Sequence, residues 1–436
     1  MLMRSTFSLL ALAAVAATVA AQEAPAGFKA AFNGKDLEGW QGYAVHAKGA
    51  APADMAKLTA DERAAKFAEW TTDAKKHWSA QNGELVNDGN GAYLATVQEF
   101  GDVEFLIEYK TVAKADSGIY MKATPQIQIW DSTETAKFKL GADKGSGGLW
   151  NNTAGTAGKD PLVKADKPLG EWNKFRILMV GEYVTVYLND QLVVDHARQE
   201  NYYDRKAAMQ AKAPIILQTH GGEIRWRNIF AREIPAEEAN AMLMKKTSGF
   251  TPLFDGKTLD GWQGATADYE VVDGAIVGKK GKGGNLFTKE EFADFTVQVE
   301  YKLPAGGNNG LALRYPGKGD PSITGFCEIQ ILDDTAKQYA KLDPRQYNGS
   351  AYGVLPVARG YLRPVGEWNF MQVSVVGSTI KVELNGSKVL DGDVSKVTAK
   401  MRDPKTPHSG IANTKGHFGF AGHGDTVAFR NVRIRK

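Results

Sequence analysis

Apolar and polar residues alternate with a period of two over long stretches of this chain. Val103, Phe105, Ile107 and Tyr109 interleave with Glu104, Leu106, Glu108 and Lys110, and Phe295, Val297, Val299 and Tyr301 interleave with Thr296, Gln298, Glu300 and Lys302. Successive side chains of a strand point to opposite faces, so each run predicts a strand with one face in a core. Residues 184–188 and 192–194 flank Asn189-Asp190, and residues 379–384 and 388–390 flank Asn385-Gly386. Both read as hairpins whose central pair tolerates positive φ. Many short strands, Gly-rich turns and little helix predict antiparallel sandwiches.

Two further strands carry the candidate chemistry. Pro125-Gln126-Ile127-Gln128-Ile129-Trp130-Asp131 and Phe326-Cys327-Glu328-Ile329-Gln330-Ile331-Leu332-Asp333 place isoleucines on one face and Gln126 with Gln128, or Glu328 with Gln330, on the other. A strand whose polar side meets solvent accounts for either one alone. The blocks around them recur in the same order, however. Phe32-Asn33-Gly34-Lys35-Asp36-Leu37-Glu38-Gly39-Trp40 returns as Phe254-Asp255-Gly256-Lys257-Thr258-Leu259-Asp260-Gly261-Trp262, Gly170-Glu171-Trp172-Asn173 as Gly366-Glu367-Trp368-Asn369, and His220-Gly221 with Arg227-Asn228 as His423-Gly424 with Arg430-Asn431. Collinear repetition over most of both halves predicts a tandem duplication of one domain, not a short-period solenoid.

Helical patterning is confined to two places. An insertion from Ala53 to Trp78, present in the first half only, opens with a capping box at Thr59 and Glu62 and continues in Ala, Lys and Glu. Between the halves, residues 237–246 are helix formers ending at Ser248-Gly249, which predicts a short helical linker. The expected layout is a leader over 1–21, a first domain over 22–234, a linker over 235–249 and a second domain over 250–436.

Composition narrows the partners. The chain has 436 residues, a formal charge of +3 and no basic stripe, which argues against nucleic acid. Arg4 precedes an apolar run ending at Val19-Ala20-Ala21, the pattern of a secretory leader, and no other stretch is apolar enough for a membrane span. An exported, periplasmic or secreted protein is expected, with no lipid-anchor Cys at the cleavage site. Cys327 is the single cysteine, so no intramolecular disulfide forms.

Together the Phe-Asn-Gly-Lys-Asp-Leu-x-Gly-Trp block, the Gln-Ile-Gln or Glu-Ile-Gln strand, Gly-Glu-Trp-Asn and the late His-Gly with Arg-Asn resemble the 3-keto-disaccharide hydrolase family, also described as 3-keto-glucoside 1,2-lyase and 3-keto-2-hydroxyglucal hydratase domains. The resemblance covers roughly residues 30–233 and again 252–436. It implies two concanavalin-like jelly rolls, an oligosaccharide or glycoside substrate, and elimination of the C1 substituent from a 3-keto sugar or hydration of the product. That chemistry needs a base for the C2 proton, an acid for the leaving oxygen and an electropositive group beside the enolate.

In the second half Glu328 or His423 is the candidate base, with Arg314 and Gln330 for the ketone and enolate oxygens. The first half has Gln126 and Lys122 where the second has Glu328 and Arg314, so its chemistry would rest on His220, with Gln128, Tyr120 and Asn152 as binding groups; Tyr352 is the second half's counterpart in this set. A carboxamide cannot accept a proton, which leaves a non-catalytic, lectin-like tandem module as the alternative. A two-carboxylate glycosidase is weaker, since the polar strand supplies at most one acid per half. No metal motif is present, although Asp131, Asp333 and the two histidines are candidate ligands for a divalent cation. Trp40, Trp262, Trp130 and Trp150 are candidate stacking surfaces for pyranose rings, and Trp172 and Trp368 read as core or corner residues.

Overall fold

The computed structural model describes residues 23–245, 247–404 and 407–436. The expected leader lies outside them, and no described helix is long and apolar enough to cross a membrane. Each half is a sandwich of a larger and a smaller antiparallel sheet. The smaller sheet of the first half runs Trp40–Tyr43, Tyr93–Phe100, Ala213–Leu217, Asp116–Met121, Thr124–Trp130. That of the second half runs Trp262–Gly264, Leu286–Phe292, Gly416–Gly422, Asn308–Tyr315, Cys327–Leu332. The two polar-faced strands are thus edge strands in equivalent places. Each edge is covered by a short bridge, Ile127 to Leu149 and Ile329 to Ala351, which removes an open template for pairing.

Alternation decides which side is core. Phe105, Ile107 and Tyr109 of the large sheet meet Ile119, Ile127 and Ile129 of the small one, all essentially inaccessible. Burying such side chains contributes about 1.5–3 kcal/mol each. The consequence is that Gln126 and Gln128 must point away from the core, to the outer face of the small sheet. The second half repeats this with Val297, Val299 and Tyr301 against Leu311, Ile329 and Ile331.

Both hairpin dipeptides adopt the predicted geometry, with φ of 51° and 63° at Asn189-Asp190 and 49° and 79° at Asn385-Gly386. The insertion forms helices Pro52–Met55 and Ala60–His77. The second opens on a reciprocal cap in which the Glu62 amide donates to Thr59 Oγ1 at 3.3 Å and the Thr59 amide to Glu62 Oε2 at 2.9 Å. Helix Ala236–Lys245 joins the halves, and its Ala239 and Leu243 pack with Val180 and Ile234 of the first and Phe370 of the second.

That helix explains one departure from the alternation. Gln298 and Glu300, expected on a solvent face, are buried because Asn240 of the helix donates to Glu300 at 2.5 Å and Thr247 approaches Gln298. Trp40 and Trp262 also depart from expectation. They are 5% and 2% exposed, with their indole N–H groups donating to Ala31 O and Leu253 O, so neither offers a stacking surface. Trp172 and Trp368 are corner residues, each beneath an arginine, Arg227 at 4.0 Å and Arg430 at 4.1 Å.

Candidate active site

A cavity of about 220 Å³ opens on the outer face of the first half's small sheet. Its floor is Asp116 and Tyr120 from one strand and Gln126, Gln128 and Trp130 from the edge strand, with Gln218 and His220 following the central strand. Trp150, Tyr202 and Tyr203 wall it on one side and His46 on the other. Gly118 sits between the polar strands, where a Cβ would come within 3.1 Å of both the Gln126 amide carbon and Gln218 Oε1. Glycine is needed there because the two amides occupy the space a side chain would take.

Asp116 is the hub of the polar groups. It accepts from Gln128 Nε2 at 2.7 Å and from Lys137 Nζ at 3.2 Å, and its Oδ2 lies 3.3 Å from His220 Nδ1. The bond to Asp116 raises the proton affinity of His220 above that of an ordinary imidazole, outweighing partial desolvation. Gln126 donates to Gln128 Oε1, so the amides form a chain ending on the carboxylate. Tyr120 is buried edge-on against Tyr93 and held firmly as the neutral phenol by loss of hydration. Gln218 Nε2 donates to Tyr93 at 3.2 Å while its Oε1 is buried with no partner among the described residues. Trp130 and Trp150 meet edge-to-face at 6.1 Å, the kind of apolar wall on which the C–H face of a sugar ring packs.

The equivalent face of the second half is built differently. Glu328 is 4% exposed and lies over Gly310, so close that a Cβ at 310 would overlap its carboxylate. Between strands Asn308–Tyr315 and Cys327–Leu332 the chain makes an eleven-residue loop, 316–326, whose short helix Pro321–Thr324 packs on both strands. The first half has a two-residue turn, Lys122-Ala123, at that point. Burial, and then the Asp320 charge, push the Glu328 carboxyl up to about 8. His423, beyond strand Gly416–Gly422, has its proton affinity lowered by partial desolvation, against the opposing charges of Asp320 and Asp425. Gln330 donates to Asn308 at 3.1 Å.

A comparison with known families matches the model of the 3-keto-alpha-glucoside-1,2-lyase-like domain over residues 27–232 and again over 249–435. The chain belongs to that family. A 3-keto-disaccharide hydrolase of Bacteroides thetaiotaomicron is 28% identical over 247 residues, 47% of this chain and 85% of the relative. Among solved structures, a Parabacteroides distasonis protein provisionally named a glycosyl hydrolase aligns at 28% identity over 43% of this chain and 93% of its own, with a TM-score of 0.37. A carbohydrate-binding module of Bacillus subtilis aligns at 14% identity over 40% and 96%, with a TM-score of 0.28.

Set against the family resemblance, the structure gathers Tyr120, Gln126, Gln128 and His220 around one cavity and puts four other candidates elsewhere. Lys122 is not at the polar face. Its ammonium is buried and donates to Gly181 O at 2.7 Å. Arg314 is likewise turned away, donating to Ala293 O, Gly377 O, Asn413 O and Asp294. Both residues have positive φ, and both reach the carbonyl of the equivalent glycine, so their correspondence is real while their work is to fasten the two sheets. Asn152 ties its loop to Arg198 O and the Glu200 amide. The Tyr352 hydroxyl accepts from Gln346, and its amide donates to Glu328 O at 2.9 Å.

Asp131 and Asp333 cap turns through Thr133 and Thr335, and no group of three His, Cys, Asp or Glu able to hold a metal occurs among the described residues. The sequence reading passed over His46, Lys137, Tyr202 and Tyr203. The Tyr202-Tyr203 pair after a hairpin was a usable signal. His46 and Lys137 had none, because a loop and a 3₁₀ turn distant in sequence bring them in.

Proposed function

We propose that the chain is an exported enzyme acting on 3-keto glycosides, removing the C2 proton and expelling the C1 substituent, and that the cavity of the first half is its active site. The observation that carries this reading is the His220–Asp116 pair at the rim of an aromatic-walled cavity whose floor is a chain of amides. A ketone at C3 makes the C2 proton acidic. His220, in its neutral form, takes that proton while Asp116 steadies the imidazolium. The electron pair passes to the ketone oxygen, where the Tyr120 hydroxyl, kept protonated, and the second N–H of the Gln126 amide offer hydrogen bonds. Gln128, its own N–H groups spent on Asp116 and Ile129 O, holds Gln126 in place. Collapse of the enolate forms the C1–C2 double bond and breaks the C1–O bond, the leaving oxygen taking the proton back from the His220 imidazolium and so returning the base to its neutral form. Water adding to the 2-hydroxyglucal would complete a net hydrolysis at the same site.

In the second half, the burial of Glu328 beneath the 316–326 loop favours a non-catalytic partner domain. The test is to incubate the mature chain with a 3-keto glucoside, with and without added divalent metal. Release of the leaving group that is lost in His220→Ala and retained in Glu328→Gln supports the assignment. Binding without turnover under both conditions leaves the lectin-like alternative.

A further inference from the structure

Next to the candidate active site lies a larger cavity, about 770 Å³, between the inserted helix Ala60–His77 and the sheet edge. The two share His46. His46 lines both, and Tyr93, which lines the larger cavity, receives the Gln218 side chain of the smaller one at 3.2 Å. His46 Nε2 and the Tyr93 hydroxyl are 3.1 Å apart with their rings edge-to-face at 5.7 Å, so this pair forms the partition. At about 220 Å³ the first compartment is below the usual range for a ligand pocket, about 300–1,000 Å³, and suits a single sugar ring rather than a whole glycoside. A glycoside whose keto-sugar fills it must send its C1 substituent out of the cavity.

We propose that the second compartment receives that leaving group, and that the group is an aromatic or other apolar aglycone rather than a second sugar. This rests on the function proposed above. The walls supply the methyls of Ala44, Ala47 and Ala92 and the edge of Trp70. Of the polar groups that line it, Asp73 and Thr72 are already engaged, while Glu69 and Lys76 are turned to solvent. Asp73 accepts the Ala92 amide at 2.9 Å and faces Lys76 at 3.8 Å, while the Thr72 hydroxyl donates to Ala68 O. A sugar here would leave several hydroxyls short of partners, a cost an apolar ring escapes. A third cavity, near Pro356–Ala358 of the second half, meets the first only at Tyr203, whose hydroxyl is directed to Ala123 O. The second half runs from Gly264 to Tyr269 without an insertion, so among the described residues it has no helix to wall an equivalent compartment.

The experiment compares equilibrium binding of an aryl 3-keto glucoside, its methyl counterpart and a 3-keto disaccharide, by calorimetry, in wild type and in Thr72→Trp and Ala47→Trp, which fill the compartment from opposite walls. The aryl ligand is expected to bind wild type at least tenfold more tightly than the other two, and filling is expected to abolish that preference while methyl glucoside binding stays unchanged. No aryl preference in wild type, a disaccharide preferred over the aryl ligand, or a preference that survives both substitutions overturns the proposal. Turnover of the methyl 3-keto glucoside is read separately. If it occurs without an aryl preference, the enzyme stands and the compartment falls. If the preference appears and is lost on filling but nothing is turned over, the compartment stands and the elimination chemistry falls.

Discussion

Glu328→Gln isolates the cost of a buried carboxyl. The native carboxyl sits near 8, against an ordinary value of 4.5, chiefly because burial strips its hydration. Between those values the folded chain holds a proton that the unfolded chain has released. Stability therefore falls as pH rises through the window from about 4.5 to 8, by up to about 1.4 kcal/mol per pH unit, and Glu328 contributes nothing to the pH dependence below it. The ceiling on the total is about 5 kcal/mol, from a shift of 8 − 4.5 = 3.5 units. The Gln variant cannot ionise. It carries only a fixed offset from placing an amide over Gly310, of about 1–3 kcal/mol if its N–H groups find no acceptor.

The diagnostic is thus the slope of the wild-type-minus-variant difference, since every other titrating group is common to both proteins. Hydrogen exchange of strands Asn308–Tyr315 and Cys327–Leu332 in the intact chain, at pH 5, 7 and 9, reads local stability in the half concerned, and comparison at equal pH cancels intrinsic exchange rates. The variant should gain on wild type from pH 5 up to about pH 8 and level off above it. A difference that is flat across that range refutes the claim that the carboxyl is held neutral by burial. The first half already carries Gln126 at the equivalent strand position, so its small sheet should show no matching trend.

Other outcomes follow from the same contacts. Asp116→Asn removes the group that raises the His220 proton affinity, so the acid limb of the rate profile should move to lower pH, with a smaller rate on the plateau. Arg314→Ala frees three backbone carbonyls and should cost on the order of 3 kcal/mol in urea denaturation, and Arg314→Lys should recover part of it. Gly118→Ala should depress turnover and also lower stability, because the added methyl presses on the Gln126 and Gln218 amides and on the Ile127 backbone carbonyl, each at 3.1 Å. Thr59→Ala should destabilise helix Ala60–His77 by about 1 kcal/mol, read as faster hydrogen exchange in its first turn.

The strand pattern was legible because a period of two leaves one assignment of faces once the isoleucines choose the core, and the repeat located equivalent strands without any coordinates. The cap at Thr59 and the turns at Asn189 and Asn385 were legible for the same reason, being local. What sequence could not give was the direction of residues at element ends. Lys122 and Arg314 stand an even number of positions from face residues, but positive φ at each turns the side chain from the polar face to the end of the sandwich. Asp116 carries no signal of its own in the sequence. Its importance came only from bringing His220, Lys137 and Gln128 to one carboxylate, three partners from three separate segments.

The two halves share a fastening and differ in what they do with it. In the first, Asp102 accepts the Gly181 amide at 2.9 Å and Lys122 donates to the Gly181 carbonyl. In the second, Asp294 accepts the Gly377 amide at 2.9 Å and Arg314 donates to the Gly377 carbonyl. That latch lies at the end of the sandwich and is indifferent to what covers the polar face. Arginine satisfies three carbonyls and Asp294 at once, and two of those carbonyls, Ala293 O and Asn413 O, belong to segments beyond the latch glycine, so the second half can hold the 407–413 segment against the strand that leads into the 316–326 loop. Lysine has one such bond and itself forms half of a two-residue turn, which leaves the floor of the first half open. The exchange of Gln126 for Glu328 then follows from enclosure: an amide chain beside an open cavity can serve a ligand, whereas a carboxyl under a loop is held neutral and meets none. A second half with the 316–326 loop shortened to a two-residue turn should bring the Glu328 carboxyl back toward the ordinary range, and a carboxyl that stays near 8 in that variant would show that the strand itself, not the loop, strips its hydration.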